Sequence, residues 1–238
     1  MRNQKSDHMK RIKRIYIPTT SPEDWKALLA QPDKQWRTGY SAKALAHCWE
    51  EAQGFPKSVE QVFSKTSHSP FKSIVPLLIL PEYQVPLPGG TRPSQNDVFI
   101  LAHSNEGLMT IAVEGKVEEP FGPTVSEWLK EGSEGKQVRL AYIHEQLGLP
   151  DAPLGSIRYQ LLHRTTSALI EAKWFHASSA MVLVHSFSQN RTWFEDYTAF
   201  LGLFDKIGTP DSIDLLGNRN GIDLYLSWVT GDEKYLRV

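Results

Sequence analysis

The sequence predicts an α/β (α+β) fold in which a central mixed β-sheet is flanked by helices within a single domain. Three observations predict it. Apolar alternation over residues 97–103 and 109–117 marks two strands joined by a polar turn. Helical periodicity marks segments before and after those strands. No repeat or low-complexity tract divides the chain. Forty per cent hydrophobic residues, with seven Trp among the aromatics, supply material for a sizeable core.

The elements follow in order. Residues 1–15 form a basic tail, with Arg2, Lys5, Lys10, Arg11, Lys13 and Arg14 against Asp7; it reads as a frayed terminus or as an arm that touches phosphate. The domain proper spans 16–238. Ser21 and Pro22 open a short helix, with Asp24 as the cap partner. Ser41 caps a second helix to about Gln53, whose apolar stripe is Ala42, Leu45, Ala46, Trp49 and Ala52. Gly54 and Pro56 end it, and a shorter helix follows around residues 59–63. Residues 74–80 make a buried strand in which Pro76 implies an edge or a bulge. A loop rich in Pro and Gly leads to the two alternating strands.

Pro120, Gly122 and Pro123 then break the structure, and Thr124-x-x-Glu127 is a capping box. Helices are expected from Lys136 to Leu147, stopped by Gly148, and from Ser156 to Phe175. A strand buried on both faces follows at 180–187. Thr192-x-x-Glu195 is expected to cap a helix reaching Phe204 or Lys206, and 222–229 alternates as a last strand.

Composition excludes several function classes. A net charge of −1 advertises no global nucleic-acid field, so any groove for a polyanion must be a local basic patch. Lys43, Lys72, Arg92, Arg158 and Arg164 could contribute to one. One cysteine, Cys48, rules out an intrachain disulfide framework and fits a reducing, cytoplasmic setting. The longest apolar run, 74–80, is interrupted by Pro76 and far too short for a bilayer, and no signal peptide is expected. The eight histidines form no close metal-binding pair; His103, His163 and His185 read as core or surface residues. Phosphate-binding, dinucleotide-binding and nucleophile-elbow signatures are absent.

The informative residues are Asp97, Glu114 and Lys116. Acid-x-Lys occurs five times, at Asp24, Glu114, Glu134, Glu171 and Asp232, but only Glu114-Gly-Lys116 lies inside an apolar alternating run. On a strand, Glu114 and Lys116 share a face about 7 Å apart. A hairpin closed about the Asn105/Glu106 peptide sets Asp97 opposite Glu114, since each pair in that register sums to the same number. Like charges so placed are destabilising unless something positive lies between them; Lys116 supplies part of that charge and a divalent cation would supply more. The competing interpretation is an ordinary charge ladder on a half-exposed sheet face.

With Asp97, sixteen residues, then Glu114-Gly-Lys116 on the second and third core strands, the chain resembles the PD-(D/E)XK, restriction-endonuclease-like nuclease superfamily. It is also similar to an uncharacterised bacterial family assigned to that superfamily, through the stretches Ser41–Glu50, Ser94–Asp97, Val113–Gly122 and Arg158–Thr165. The resemblance covers roughly 40 to 230. It implies a restriction-endonuclease-like core in which Asp97 and Glu114 hold Mg²⁺ (or Mn²⁺), while Lys116 orients or helps deprotonate the attacking water, or offsets charge on the phosphate. Glu50 is the candidate for the superfamily's helix carboxylate and third metal ligand; otherwise it is a solvated helix-face acid. Gln160 is carried over as a helix residue near the nucleophilic water. It belongs to a polar stripe with Arg164, Ser167 and Glu171, in which Arg164 could hold substrate phosphate; otherwise the stripe faces solvent. The function implied is a Mg²⁺-dependent nuclease acting on DNA or RNA. The alternative is a catalytically inactive nuclease-fold binding or interaction module.

Overall fold

The computed structural model describes residues 19–130, 132–149 and 152–238; the basic tail lies outside them. Two short helices, α1 (Glu23–Lys26) and α2 (Pro32–Gln35), lead into α3 (Ser41–Ala52) and α4 (Lys57–Lys65). The chain then runs through β1 (Val75–Val85), β2 (Ser94–Ser104) and β3 (Gly107–Lys116). Next come α5 (Val125–Leu129), α6 (Glu134–Leu147) and the long α7 (Tyr159–Trp174). β4 (Ser179–Ser186), α8 (Phe194–Gly202), β5 (Ser212–Arg219) and β6 (Ile222–Thr230) complete the fold.

The six strands form one mixed sheet in the order β1-β2-β3-β4-β6-β5. β1, β2 and β3 form an antiparallel meander, β3, β4 and β6 run parallel, and β5 pairs antiparallel with β6. Side chains of the sheet alternate between two cores. Val98, Ile100, Ile111 and Val113 pack towards α3 and α4 with Trp49, Val59 and Phe63. Ala112, Val182, Val184 and Leu226 pack towards α6, α7 and α8 with Ile143, Leu162 and Phe200. Both cores share one sheet, so the described residues form a single α+β domain. No helix among them is long and apolar enough to cross a membrane.

The expected hairpin register holds. Val98 pairs with Val113, Ala102 with Met109 and Ser104 with Gly107, leaving Asn105 and Glu106 as the turn. β1 is an edge strand whose register shifts between Pro76 and Leu78, because proline lacks a ladder donor. The Thr124 capping box is complete, and Gly148 closes α6 in the left-handed region at φ 65°.

Two caps differ from expectation. Thr192 does not cap α8: Trp193 precedes that helix in a left-handed conformation, and the Thr192 hydroxyl bonds Ser188 and Glu118. Ser41 is the first residue of α3, and Tyr40 ahead of it offers no side-chain cap. A distant residue supplies it: Glu119, just past β3, accepts the Ser41 N–H with Oε1 at 2.8 Å and the Val117 N–H with Oε2 at 3.0 Å. β5 carries Gly217 at a bulge and pairs at the outer edge, and its sequence has no clear alternation.

Glu119 thus ties the start of α3 to the end of β3. Glu119→Ala is expected to cost about 1 kcal/mol, read as a melting temperature lower by roughly 2–4 °C, with Glu119→Gln losing less because it keeps one acceptor.

Candidate active site at the ends of β1, β2 and β3

Strand register places three carboxylates in a row. In β2–β3, the position after the Val98–Val113 pair sets Asp97 across from Glu114. In β1–β2, the pairs Pro81–Val98 and Tyr83–Asn96 bracket Glu82 opposite Asp97. Glu82 has φ of 50°, a left-handed backbone that kinks β1 there. Gly115 lets the row close. A Cβ at Gly115 would lie 3.2 Å from Leu45 Cδ2 and 3.4 Å from Asp97 Oδ2, and Gly115 N–H donates to that same Oδ2 at 2.8 Å.

α7 lies over this row with its polar stripe turned inward. Gln160 donates from Nε2 to Glu114 Oε1 at 2.7 Å, and its Oε1 accepts from Lys116 Nζ at 3.2 Å. Lys116 Nζ also donates to Glu114 Oε1 at 2.7 Å and sits 4.8 Å from the centroid of the Phe121 ring. Arg164 donates from Nε to Glu114 Oε2 at 2.6 Å and from Nη1 to Ser94 Oγ at 3.1 Å, with Nη2 3.9 Å from Asp97 Oδ1. Further along the helix, Ser167 donates to Asn96 Oδ1 and Glu171 accepts from the Tyr83 hydroxyl. The stripe therefore faces the sheet rather than solvent.

The charges explain the titration behaviour. Burial disfavours ionised Glu114, but Lys116 and Arg164 outweigh it and hold the carboxyl below its usual range. Asp97 fares worse: burial and the neighbouring Glu114 charge push it from 3.8 up to about 7, against partial relief from Arg164, Lys116 and Gly115 N–H. Glu82 is raised by burial and by Asp97, while Gln95 Nε2 bonds its Oε2 at 2.6 Å. A cavity of about 340 Å³ opens onto Asp97, Glu114, Lys116 and Gln160, with Glu82 and Lys34 also on its wall.

Four of the six sequence candidates, Asp97, Glu114, Lys116 and Gln160, meet here as expected. Arg164 also arrives, but as the buried counter-charge of Glu114 rather than a free phosphate holder. Glu50 does not join them. It accepts hydrogen bonds from Thr19 Oγ1, Trp25 Nε1 and Gln53 Nε2 in a separate buried cluster. The N-terminal end of α3 meets the site, through Ser41 and Ala42, and Glu50 lies nine residues further on, about 14 Å along the axis. Arg158 is likewise engaged elsewhere, with Asp196 at 2.9 Å. Sequence reasoning missed Glu82 and Glu119. The eight residues between β1 and β2 leave the register of those strands unset by any tight turn, so the sequence carries no signal that finds Glu82.

A larger cavity of about 660 Å³ lies between α3, α4 and the C-terminal segment, away from this chemistry. Its Cys48 thiol is pushed up to about 12 by burial, out of range for a nucleophile at neutral pH. Of the three histidines, His185 is wholly buried beneath Trp49 and pushed down to about 3, and His103 is exposed. His163 lies beside the site.

The donor set can be weighed against a hard cation. Among the described residues no three His, Cys, Asp or Glu side chains converge as a ready cage, but Mg²⁺ uses one or two carboxylates and keeps its waters. A carboxylate has about four lone-pair positions. Glu114 spends three on Lys116, Gln160 and Arg164, leaving one on Oε2, and Asp97 Oδ1 has no closer donor than Arg164 at 3.9 Å. Asp97 Oδ1 and Glu114 Oε2 are therefore the oxygens of this set with a lone pair to offer a hard divalent ion, both of them beside the Arg164 guanidinium.

A family model described as a domain of unknown function (DUF6946) matches residues 18–233, most of the chain, and the chain belongs to that family. No curated protein and no solved structure matches it.

Two outcomes test this site. Arg164→Met strands the Glu114 carboxylate and is expected to cost about 3–5 kcal/mol in chemical denaturation, with much of the loss recovered when Glu114→Gln is added. The second concerns pH. Folded Asp97 holds its proton to about 7 whereas an unfolded Asp releases it near 3.8, so between those values the native state binds more protons and this group's contribution falls as pH rises. Without added metal, Asp97→Asn is expected to melt above wild type at pH 8, with the difference vanishing towards pH 4. A difference that stays flat across that range would count against the assignment.

Proposed function

We propose that this member of the DUF6946 family is a divalent-metal-dependent phosphodiesterase of the PD-(D/E)XK nuclease type. The convergence of Asp97, Glu114, Lys116 and Gln160 in one cavity carries the proposal. Element order supports it too: helices, a three-stranded meander, further helices, and a strand parallel to the third follow the order that the resemblance implies. The substrate on this reading is nucleic acid and the cofactor Mg²⁺ or Mn²⁺.

Asp97 Oδ1 and Glu114 Oε2 would hold the ion. When bound, it supplies Lewis-acid polarisation of a phosphoryl oxygen and offsets the excess carboxylate charge. The protein's own groups do the positioning. Lys116 Nζ has three N–H donors; Glu114 and Gln160 take two, leaving one for an attacking water or a phosphoryl oxygen. Gln160 fixes that orientation by bonding both Lys116 and Glu114. Arg164 neutralises Glu114 from the side away from Lys116, so the ammonium need not be spent entirely on its neighbour.

A second reading is favoured by the same ion pairs. Glu114 is bonded at both oxygens by cationic side chains, which suits a self-neutralised site in a catalytically inactive binding module. Cleavage separates the two. Purified protein with Mg²⁺ or Mn²⁺ is expected to cut DNA or RNA, and Lys116→Met to reduce the rate at least 100-fold without loss of folding, whereas Glu50→Gln leaves it within a few-fold. No cutting of either polymer, together with no metal heat by calorimetry, would remove the enzyme reading.

A further inference from the structure

On the far side of Lys116 and Gln160 from the acids lies a second cavity, of about 380 Å³. Gln95, Lys116, Gln160 and Arg164 form the partition, since they line both spaces. The remaining wall has a different chemistry: Pro93, Phe121, Pro123, Tyr159 and His163. Such a volume suits a small-ligand pocket, commonly about 300–1,000 Å³.

We propose that this second cavity receives a single unpaired nucleobase of the substrate strand, adjacent to the phosphodiester that Lys116 faces. The inference rests on the nuclease reading and narrows its substrate class to strands with an unstacked base.

Three features carry it. The wall is built of packed rings: Tyr159 is backed by Trp128, with ring centroids 4.0 Å apart and planes 9° apart, and His163 packs on Tyr159 at 4.8 Å, tilted by 48°. Preformed aromatic surfaces of this kind bind bases without demanding sequence. The opposite lip, Pro120-Phe-Gly-Pro123, is stiffened by two prolines that offer apolar surface and no N–H. One polar group is aimed by its neighbours. Ser94 Oγ accepts from Arg164 Nη1 at 3.1 Å and bonds His163 Nδ1 at 2.8 Å, with its own proton available to that nitrogen. With Ser94 as the donor, His163 carries its proton on Nε2, which has no other partner among the described residues and can donate to a ring nitrogen or carbonyl. Burial, with Arg164 and Arg139 nearby, keeps the ring neutral by holding its pKa well below the ordinary value. A base offers those acceptors on its pairing edge only when unpaired.

The experiment measures fluorescence anisotropy of the full chain in Ca²⁺ with short single strands of DNA and RNA, the same strands in blunt duplex, and a series in which one abasic residue is walked along the strand. Mg²⁺-dependent cleavage of the same set is followed in parallel. Single strands are expected to bind about tenfold tighter than duplex, and one abasic position to lower affinity about tenfold, the range of one stacked base. His163→Ala and the rim substitution Pro123→Trp should reproduce that loss and become indifferent to the abasic position. Equal affinity for duplex, a flat abasic scan, or folded variants that bind like wild type would each overturn the pocket. If the variants do not fold, the abasic scan on wild type decides alone. Normal cleavage with a flat scan sinks the pocket and spares the nuclease; an abasic-sensitive position without any cleavage does the reverse.

Discussion

The contact on which the site depends is the buried pairing of Glu114 with Arg164. It joins β3, at the centre of the sheet, to α7, the longest helix, and both partners are less than one-tenth exposed. Desolvating two charges in this way contributes little net stability, and its value lies in what it specifies. With Arg164 on one oxygen of Glu114 and Lys116 and Gln160 on the other, the carboxylate has one rotational position. α7 then has one register against the sheet. Rotating α7 by a residue would drive the stripe of Gln160, Arg164, Ser167 and Glu171 out of the polar seam and bring Leu161, Thr165, Ala168 and Ala172 into it. Charge thus fixes at one end of the helix what apolar packing against β3 and β4 fixes along the rest.

The electrostatic state of the row follows from this pairing. Two cations face three carboxylates, and they are unevenly shared: Glu114 takes nearly all the compensation while Asp97 and Glu82 take little. Asp97 is therefore held towards its protonated form, where a wholly compensated cluster would favour the carboxylate. On the proposed reading, a cation bound here would compete with that proton. Lys116 stands at the boundary between this acidic space and the aromatic one beside it, and lines both.

Much of this was legible in the sequence, for a definite reason. A tight antiparallel hairpin converts residue numbers directly into neighbours, so an apolar alternation and a polar four-residue turn are enough to place Asp97 by Glu114. Gln160 followed from helical spacing. Relations between distant segments were not legible. Which end of α3 approaches the strand ends depends on Glu119 reaching across to Ser41, and so Glu50, well placed by local pattern, lies in another cluster. Whether a polar stripe faces water or a seam depends on what lies opposite, so Arg164 and Ser167 looked like surface residues and are buried. Glu82 was hidden because its strand is joined to β2 by a long loop, where no turn fixes the register.

The left-handed backbone at Glu82 has a consequence for how copies of this chain meet. β1 is the outermost strand on its side of the sheet, eleven residues long, and such an edge ordinarily invites a strand from a second molecule to add on. Pro76 and Pro81 each remove a donor, and the reversed twist at Glu82 breaks the row of backbone groups between Pro81 and Tyr83. An approaching strand meets only short, discontinuous stretches with which to pair. The bend that aims a carboxylate inward thereby also leaves the margin of the sheet a poor template for aggregation.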